Sequence, residues 1–253
     1  MNSTGNIIKQ IGSKIIDFIF PRHCVACGKT NPTGEYEHIC PDCAKTLRLL
    51  NGSRCTVCSE PIGPADLPNI HGCPKCEDRK FMFDKSLCLC AFDGAAREMV
   101  HELKYRTGAH IVHDMAKIAK KFPELNDFIK NAILVPIPLH NTRAISRKYN
   151  QSELIGTMLC QTFPNANAKV KTILKRTRST PTQTTLDREA RALNIKNAFA
   201  ISKGKTVKTI KKDANIILID DVMTSGATLS ECAKILKKAG FKNVGAFTFT
   251  KRL

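Results

Sequence analysis

Tryptophan is absent from this chain of 253 residues, and only three tyrosines accompany its 12 phenylalanines. Long apolar runs are also missing, since no segment approaches the roughly 20 uninterrupted apolar residues that span a bilayer. The nearest candidate, residues 6–20, is interrupted by Lys9, Lys14 and Asp17, and no small-residue cleavage site follows it, which argues against a signal peptide. We therefore expect a cytoplasmic protein that is at most peripheral to a membrane.

Acidic residues are scarce in this sequence. The 22 Asp and Glu residues face 40 Lys and Arg residues, so the formal net charge is +18 and the isoelectric point is near 9.5. Such an excess favours polyanionic partners, namely nucleic acid, phosphorylated ligands or an anionic membrane surface. A basic surface that is merely solvated is the alternative interpretation.

The pattern of residues predicts three segments. Isoleucines at helical spacing predict an amphipathic N-terminal helix within residues 1–20. Residues 21–80 are rich in cysteine and turn residues, and residues 81–253 alternate apolar runs of strand length with helical patterns. That alternation predicts an α/β fold with a parallel sheet flanked by helices. The candidate strands are Leu87–Phe92, Ala132–Ile137, Ile216–Ile219 and Val244–Thr250.

Eight of the 12 cysteines form four Cys-x-x-Cys pairs arranged as two similar units. Two such turns supply the four thiolates of a tetrahedral zinc site, so we expect two zinc ions in a small double zinc-ribbon domain. The sequence does not say which pairs share a metal, because the first pair could join the third rather than the second. The expected ligands are Cys24, Cys27, Cys40, Cys43, Cys55, Cys58, Cys73 and Cys76.

Other uses of the cysteines are less favoured. A disulfide framework suits an exported protein, and nothing here indicates export. His23 and His71 flank cysteines, but eight thiolates already fill two sites. The other four cysteines, at positions 88, 90, 160 and 232, are expected to be buried apolar thiols.

A pair of adjacent carboxylates, Asp220 and Asp221, follows the apolar run Ile216–Ile219. An apolar run of this kind predicts a central strand buried on both faces, and ligands of open α/β sheets bind beyond the carboxyl ends of such strands. The hydroxyl- and glycine-rich stretch Thr224–Thr228 then opens a helix, which Gly240 ends. A helix N-terminus of this kind offers N–H groups to a phosphate.

Three other interpretations of the paired aspartates are less favoured. A Walker B strand needs a Walker A partner, and the chain contains no GxxxxGK[ST] sequence. A receiver domain has its acidic pair near the start of the domain, whereas this pair comes late. A strand that simply ends in solvated acids does not explain the glycine- and hydroxyl-rich loop that follows.

The sequence LIDDVMTSGAT resembles the PRPP-binding motif of type I phosphoribosyltransferases. The resemblance implies that Asp220 and Asp221 hold the ribose hydroxyls with Mg²⁺ nearby. It also implies that the 5′-phosphate is wrapped by Thr224, Ser225, Gly226, Ala227 and Thr228. Motifs of this family commonly have Thr-Thr where this chain has Thr224-Ser225, which keeps the hydroxyl.

Four further stretches resemble, in order, the motifs of the ComF competence family: FPRHCVACG, FDGAAREMVHELKYRTG, VPIPLHNTRAISRKYNQSELI and RTRSTPTQTTLDREARALNIKNAF. The resemblance covers nearly the whole chain. It implies a pyrophosphate position beside Pro136, Ile137, Pro138, Leu139 and Arg143. The family often has Arg-Gly-Phe-Asn-Gln where this chain has Lys148 and Tyr149 after Arg147. The remaining motif residues, whose roles stay open, are Arg97, Lys104, Asn150, Gln151, Arg176, Thr180 and Gln183.

Two functions remain open from the sequence. The resemblance to the ComF family implies a protein that handles incoming single-stranded DNA in natural transformation. It also implies DNA-import and recombination proteins as partners, and a cytoplasmic location that includes the inner face of the membrane. The alternative is an active phosphoribosyltransferase of nucleobase or nucleotide metabolism. Purine-salvage relatives place a general-base aspartate where this chain has Thr224, and threonine has no useful pKa for that role. This lowers the enzyme interpretation without excluding it, since other members of the superfamily manage without the aspartate.

Nucleic-acid binding requires basic groups for phosphates and exposed aromatic rings for stacking. The aromatic candidates are Tyr36, Phe81, Phe83, Tyr105 and Tyr149. The basic clusters are Lys169/Lys171/Lys175/Arg176/Arg178, Lys203/Lys205/Lys208/Lys211/Lys212 and Lys234/Lys237/Lys238.

Overall fold

The computed structural model describes residues 21–63, 73–77, 79–105, 108–139, 149–177, 195 and 197–253, with only the backbone given for residues 77, 205 and 206. The amphipathic helix expected within residues 1–20 lies outside these ranges, as do His71, Arg143, Arg147, Lys148, Thr180 and Gln183. Among the helices inside these ranges, none is both long and apolar enough to cross a membrane.

A five-stranded parallel sheet forms the centre of the fold. Its spatial order is β1 (Lys85–Ala91), β7 (Asn243–Lys251), β6 (Asn215–Met223), β2 (Ile133–Pro136) and β3 (Lys169–Val170). Each of the four strands expected from the sequence is present. The sheet therefore confirms the predicted α/β class.

The central strand β6 is buried on both faces, as its apolar run predicts. Ile217 and Ile219 join one core cluster, while Ile216 and Leu218 join the other. The first cluster is covered by α3 (Gly94–Tyr105), α4 (Val112–Ala119), α5 (Glu124–Phe128) and α6 (Gln151–Thr162), and the second by α8 (Ala227–Lys238).

Smaller elements complete the described part of the chain. Two strands, β4 (Leu174–Arg176) and β5 (Phe199–Ile201), form a separate antiparallel pair. Short 3-10 turns lie at Ala109–Ile111 and Pro164–Ala166. The remaining helices are short: α1 (Pro41–Ala44) and α2 (Pro74–Glu77) in the cysteine-rich region, and α7 (Lys205–Lys208) before β6.

The cysteine-rich region packs against the first strand and the first core cluster. The N–H of Leu50 donates to the carbonyl of Leu89 at 2.8 Å, and Leu49 forms an antiparallel bridge with Cys90. On the other side, the buried carboxylate of Asp114 accepts the backbone N–H groups of Glu37 and His38 at 2.8 and 2.7 Å. The region therefore covers the β1 edge of the sheet.

Candidate functional site

The eight expected ligands form two quartets, and the structure resolves the pairing that the sequence left open. Cys24, Cys27, Cys40 and Cys43 form one quartet, and Cys55, Cys58, Cys73 and Cys76 form the other. Within each quartet the sulfur atoms all lie within 4.8 Å of one another. The first Cys-x-x-Cys pair therefore joins the second, and the third joins the fourth.

The sulfur spacing suits a tetrahedral metal ion. The Cys27 and Cys40 sulfurs are 3.7 Å apart in the first quartet. In the second quartet the Cys58 to Cys73 distance is 3.6 Å. Four sulfurs at a Zn–S distance of about 2.3 Å would be separated by about 3.8 Å, so both donor sets are close to the spacing that zinc requires.

The two quartets are built as a structural repeat. Gly28 has a φ of 76° and Ser59, its counterpart 31 positions later, has a φ of 56°. Each donates its N–H to the carbonyl of the first cysteine of its quartet at 2.8 Å. Gly28 meets this left-handed requirement freely, whereas Ser59 needs support, which its buried hydroxyl finds by donating to the carbonyl of Ser86 at 2.9 Å.

Backbone donors prepare the first cysteine of each quartet as a thiolate. Cys24 accepts the N–H of Cys40, and Cys55 accepts the N–H of Cys73, both at 3.3 Å. Burial raises the pKa of Cys24, but backbone N–H groups outweigh it and lower that pKa to about 7. The pKa of Cys55 is lowered by the same balance. Metal ligands must be deprotonated, so these contacts favour binding.

A buried ion pair joins the second quartet to the sheet. Lys251, fully buried at the end of β7, places Nζ 3.2 Å from Oε2 of Glu60, and Lys75 pairs with the same carboxylate. Burial raises the pKa of Glu60, but the two lysines outweigh it and lower that pKa. Burial raises the pKa of the Cys58 thiol well above its ordinary value, and the positive charge of Lys251 opposes that rise only in part. Four thiolates around Zn²⁺ carry two net negative charges, which such lysines offset.

The histidine next to the first quartet has another partner. The exposed His23 ring nitrogen Nδ1 lies 3.4 Å from the carbonyl of Gly28.

Among the four cysteines outside the quartets, Cys88, Cys90 and Cys232 are fully buried in the core. Cys160 departs from expectation, because it is only half-buried and its thiol donates to the carbonyl of Ala168 at 3.3 Å.

The aspartate pair lies inside a strand rather than beyond its end. The sequence ended this strand at Ile219, but β6 continues to Met223 because Asp220 pairs with Thr248 and Val222 pairs with Thr250 on β7. On the other side of β6, strand β2 ends at Pro136. The two aspartates therefore lie beyond the end of β2, where β6 has a paired strand on one side only.

Asp220 is held by the start of α6. Its Oδ1 accepts the Ser152 hydroxyl at 3.1 Å and the N–H of Asp221 at 3.0 Å. Burial, followed by the charge of Asp221, raises the pKa of Asp220 to about 7, although Lys104 and Ser152 act in the opposite direction. Near neutral pH this carboxyl therefore divides between its protonated and ionised forms.

Asp221 is held by the end of α3. The Lys104 ammonium lies 3.1 Å from Oδ1 of Asp221, and both side chains are largely shielded from solvent, with exposures of 21% and 10%. The main chain of the same residue is also fixed, since the Thr250 hydroxyl donates to the Asp221 carbonyl at 3.1 Å.

Two neighbouring residues align the helices that touch the aspartates. Tyr149 donates its hydroxyl to the carbonyl of Leu103 at 2.8 Å, one residue before Lys104. Asn150 caps α6 by accepting the N–H of Ser152 at 3.0 Å and donates its amide to the carbonyl of Ile137 at 3.1 Å. The tyrosine that departs from the family pattern thus makes a specific contact in this chain.

The proline-rich loop lies beside the aspartate strand. Pro136 pairs with Ile219, and the N–H of Ile137 donates to the Ile219 carbonyl at 3.0 Å. Ile137 itself is buried in the second core cluster. The loop Pro136–Leu139 therefore borders the aspartate pair, while Arg143 lies outside the described residues.

The glycine-containing loop leads directly into α8. Gly226 has a φ of 74°, and a Cβ at this position would lie 2.5 Å from Cε1 of Phe81. The two residues that follow, Ala227 and Thr228, are already helical, and the Ser225 hydroxyl accepts the N–H of Ala227 at 3.4 Å. Residues 224–228 thus present the N-terminus of a helix of 12 residues, whose first N–H groups lack intrahelical acceptors as in any α-helix.

Phe81 lies between this loop and the second quartet. Its ring approaches Gly226, stacks on Phe83 at a centroid distance of 4.8 Å, and packs against the cluster formed by Cys55, Cys58, Cys73 and Cys76. Next to it, the N–H of Met82 donates to the hydroxyl of Ser230 on α8 at 3.0 Å.

Comparison with protein families identifies both halves of this arrangement. A model of the double zinc ribbon domain matches residues 15–77, and a model of the phosphoribosyl transferase domain matches residues 155–253. Together the two matches span more than half of the chain.

Curated relatives match both halves at once. Competence protein F of Haemophilus influenzae is 27% identical over 81% of this chain and 93% of its own length. Competence protein ComFC of Bacillus subtilis is 26% identical over 85% of each chain. The chain therefore combines a double zinc ribbon domain with a phosphoribosyl transferase domain, and it is similar to ComF-type competence proteins over most of its length. A further relative is the DNA utilization protein YhgH of Escherichia coli strain K12, which is 24% identical over 92% of this chain and 98% of its own length.

Sequence reasoning missed one residue of the site and overestimated the free charge of one basic cluster. Ser152 was not singled out, although its contact with Asp220 joins residues 68 positions apart. The cluster Lys234/Lys237/Lys238 is partly neutralised, because Lys234 lies 3.8 Å from Glu231 and Lys237 pairs with Asp84.

The end of a second basic cluster, Lys211 and Lys212, lies away from the aspartates. Lys211 and Lys212 precede β6, and the N–H of Lys242, which precedes β7, donates to the Lys212 carbonyl at 2.9 Å. These lysines therefore occupy the amino-terminal edge of the sheet, opposite the aspartate pair. Arg176 instead stacks its guanidinium 5.3 Å from the centre of the Phe199 ring.

Proposed function

We propose that this protein is a ComF-type competence protein that handles incoming single-stranded DNA during natural transformation and carries a pocket for PRPP or a similar phosphoribosyl ligand. The observation that carries the proposal is the likeness, over most of the chain, to proteins named for competence and DNA utilization. The net charge of +18 supports a polyanionic partner.

In this proposal the ribose hydroxyls meet Asp220 and Asp221, with Mg²⁺ beside them. The 5′-phosphate lies against Thr224, Ser225, Gly226, Ala227 and Thr228, and the pyrophosphate lies toward the loop Pro136–Leu139 and Arg143. The support is geometric: a helix N-terminus with small residues, a carboxylate pair and a stiff proline loop converge at adjacent ends of β6 and β2. Free N–H groups and the helix dipole favour an anion there.

The metal centres serve architecture in this proposal. Two zinc ions, one in each cysteine quartet, would stabilise a region whose small size leaves little room for a core of its own. That region covers the β1 edge of the sheet and contacts the loop of the ligand pocket through Phe81. Four thiolates would fill all four coordination positions of each zinc ion, which is typical of a structural rather than a catalytic site.

The pocket is proposed to sense or anchor its ligand rather than to transform it. Thr224 occupies the position where purine-salvage relatives carry a general-base aspartate, and a threonine hydroxyl does not titrate in the useful range. We further propose that the protein acts in the cytoplasm with DNA-import and recombination proteins, up to the inner face of the membrane.

DNA binding is tested with fluorescence anisotropy on labelled single-stranded oligonucleotides of unrelated sequences. We expect sequence-independent binding that weakens steeply as salt rises, because phosphate contacts release counterions. Binding that salt does not change, or no binding at all, would overturn the DNA-handling proposal.

The ligand pocket is tested by calorimetry with PRPP and Mg²⁺. Replacement of both aspartates, Asp220→Asn with Asp221→Asn, should abolish PRPP binding and leave the zinc content and the fold intact. Unchanged PRPP affinity would refute the ribose assignment.

The alternative of an active phosphoribosyltransferase is tested by pyrophosphate release. The phosphoribosyl transferase match and the presence of the aspartate pair Asp220–Asp221 favour this alternative. The protein is incubated with PRPP, Mg²⁺ and a panel of bases and amines. Turnover well above background with any acceptor would replace the sensing role with a catalytic one.

A further inference from the structure

One aromatic side chain stands out for its exposure. Tyr105 is 67% exposed, whereas Tyr36 and Phe83 are buried, with exposed fractions of only 4% and 2%. Phe81 and Tyr149 are only partly accessible, and both pack against the core clusters. Of the five aromatic residues that the sequence offers for stacking, Tyr105 alone presents most of its surface to solvent.

Tyr105 ends a stripe of exposed residues along α3. Arg97, His101 and Tyr105 follow one another at intervals of four residues, so they lie on one face of the helix. All three are exposed, while the residues between them face the core or its border. The Arg97 guanidinium pairs with the adjacent Glu98 at 2.8 Å, yet 56% of the Arg97 side chain stays exposed. The His101 and Tyr105 rings contact edge to face at a centroid distance of 6.1 Å, and Phe92 lies 6.3 Å from His101.

This stripe borders the proposed phosphoribosyl pocket. Lys104, the residue before Tyr105, reaches Asp221 at 3.1 Å. The bond from Tyr149 to the Leu103 carbonyl fixes the same end of the helix. Tyr105 therefore lies at the end of α3 that contacts the aspartate pair.

We propose that Arg97, His101 and Tyr105 form a stacking platform for single-stranded DNA, with a base resting on the Tyr105 ring and the backbone passing Arg97. The inference rests on the proposed DNA-handling function. Aromatic rings flanked by cations bind single strands without sequence preference, because every base has a π face and every linkage a negative charge. The surplus of positive charge on the chain favours this occupant over a basic or neutral protein surface.

The experiment uses the full chain, a labelled oligonucleotide and its abasic counterpart, which keeps the phosphates and lacks the bases. Tyr105→Ala should weaken binding of the normal oligonucleotide on the order of tenfold, with an unchanged salt slope. Binding of the abasic oligonucleotide should be the same for both proteins. Tyr105→Trp should restore binding, and Leu253→Ala, which changes another exposed apolar residue, should bind like the unchanged protein.

Each contrary outcome has a distinct meaning. If the unchanged protein binds no oligonucleotide, the proposed function falls and the platform falls with it. If it binds but Tyr105→Ala binds equally well, the platform alone is refuted. The platform is also refuted if Tyr105→Ala alters only self-association, or weakens binding of free mononucleotides but not of oligonucleotides.

Discussion

The ammonium group of Lys104 and the carboxylate of Asp221 are 3.1 Å apart, although 117 positions separate them in the chain. This ion pair ties the end of α3 to the strand that carries the aspartates. Ser152 ties the start of α6 to the neighbouring Asp220. The carboxylates are therefore positioned by two helices before any ligand arrives, which reduces the ordering that binding would require.

Stability should depend on pH through Asp220. The folded state raises the pKa of this carboxyl from 3.8 to about 7. Between these values the folded protein holds a proton that the unfolded chain has lost, so the free energy of unfolding falls as pH rises through this window. Urea unfolding should show a shallower decline for Asp220→Asn, while Asp213→Asn, an exposed loop acid, should follow the unchanged protein.

Binding of a divalent cation should respond to the same proton in the opposite direction. A cation binds the ionised carboxylate, so Mn²⁺ affinity, measured by paramagnetic resonance, should rise as pH passes about 7. Asp220→Asn should remove this rise. A flat profile in the unchanged protein would contradict a cation site at the aspartate pair.

Removal of Lys104 should shift the pH midpoint of the rise in Mn²⁺ affinity. The lysine favours the ionised form of Asp220, so Lys104→Met should shift the midpoint of the Mn²⁺ profile to higher pH. Lys104→Arg keeps the charge and serves as the control. If the methionine and arginine variants share one midpoint, the ion pair does not influence this carboxyl.

Gly226 should tolerate no side chain. An alanine there would adopt a left-handed conformation, which costs about 1–2 kcal/mol, and its Cβ would lie 2.5 Å from the Phe81 ring. Gly226→Ala should therefore lower both the denaturation midpoint and PRPP affinity. Gly204→Ala, with open space around it, should do neither. Adding Phe81→Leu should recover part of the loss, since it relieves the clash but not the backbone strain.

The metal content should follow the quartets. Mass spectrometry of the purified protein should find two zinc ions per chain, because both donor sets have suitable spacing. Cys24→Ser and Cys55→Ser should each lose one ion, since each removes a ligand from a different quartet. Cys160→Ser, outside both quartets, should retain two. Loss of both ions from either single variant would show that the quartets do not bind independently.

The sequence predicted the parallel sheet because its strands are nearly continuous apolar runs, which few other structures require. It predicted the end of β6 wrongly, since polar residues usually mark a strand end. Asp220 to Met223 remain in the strand because β7 offers pairing partners as far as Lys251. Pairing across strands depends on register, which local patterns do not encode.

The site was predictable only where it is continuous in sequence. The aspartates and the glycine loop form one motif, and the structure brings them to one edge of the sheet. Ser152, Lys104 and Phe81 reach this edge from three other segments, and no local spacing links them to the motif. The cysteine pairing was likewise open until the fold brought the quartets together.

The position of Phe81 couples the second quartet to the glycine loop. The Phe81 ring packs on the cysteines and also approaches Gly226. A rearrangement of the quartet or of the loop would therefore move a side chain that the other one contacts. Coupling between two binding equilibria is reciprocal. If zinc in the second quartet strengthens ligand binding by some factor, the bound ligand must strengthen zinc binding by that same factor, so that more chelator is needed at equilibrium to remove the zinc.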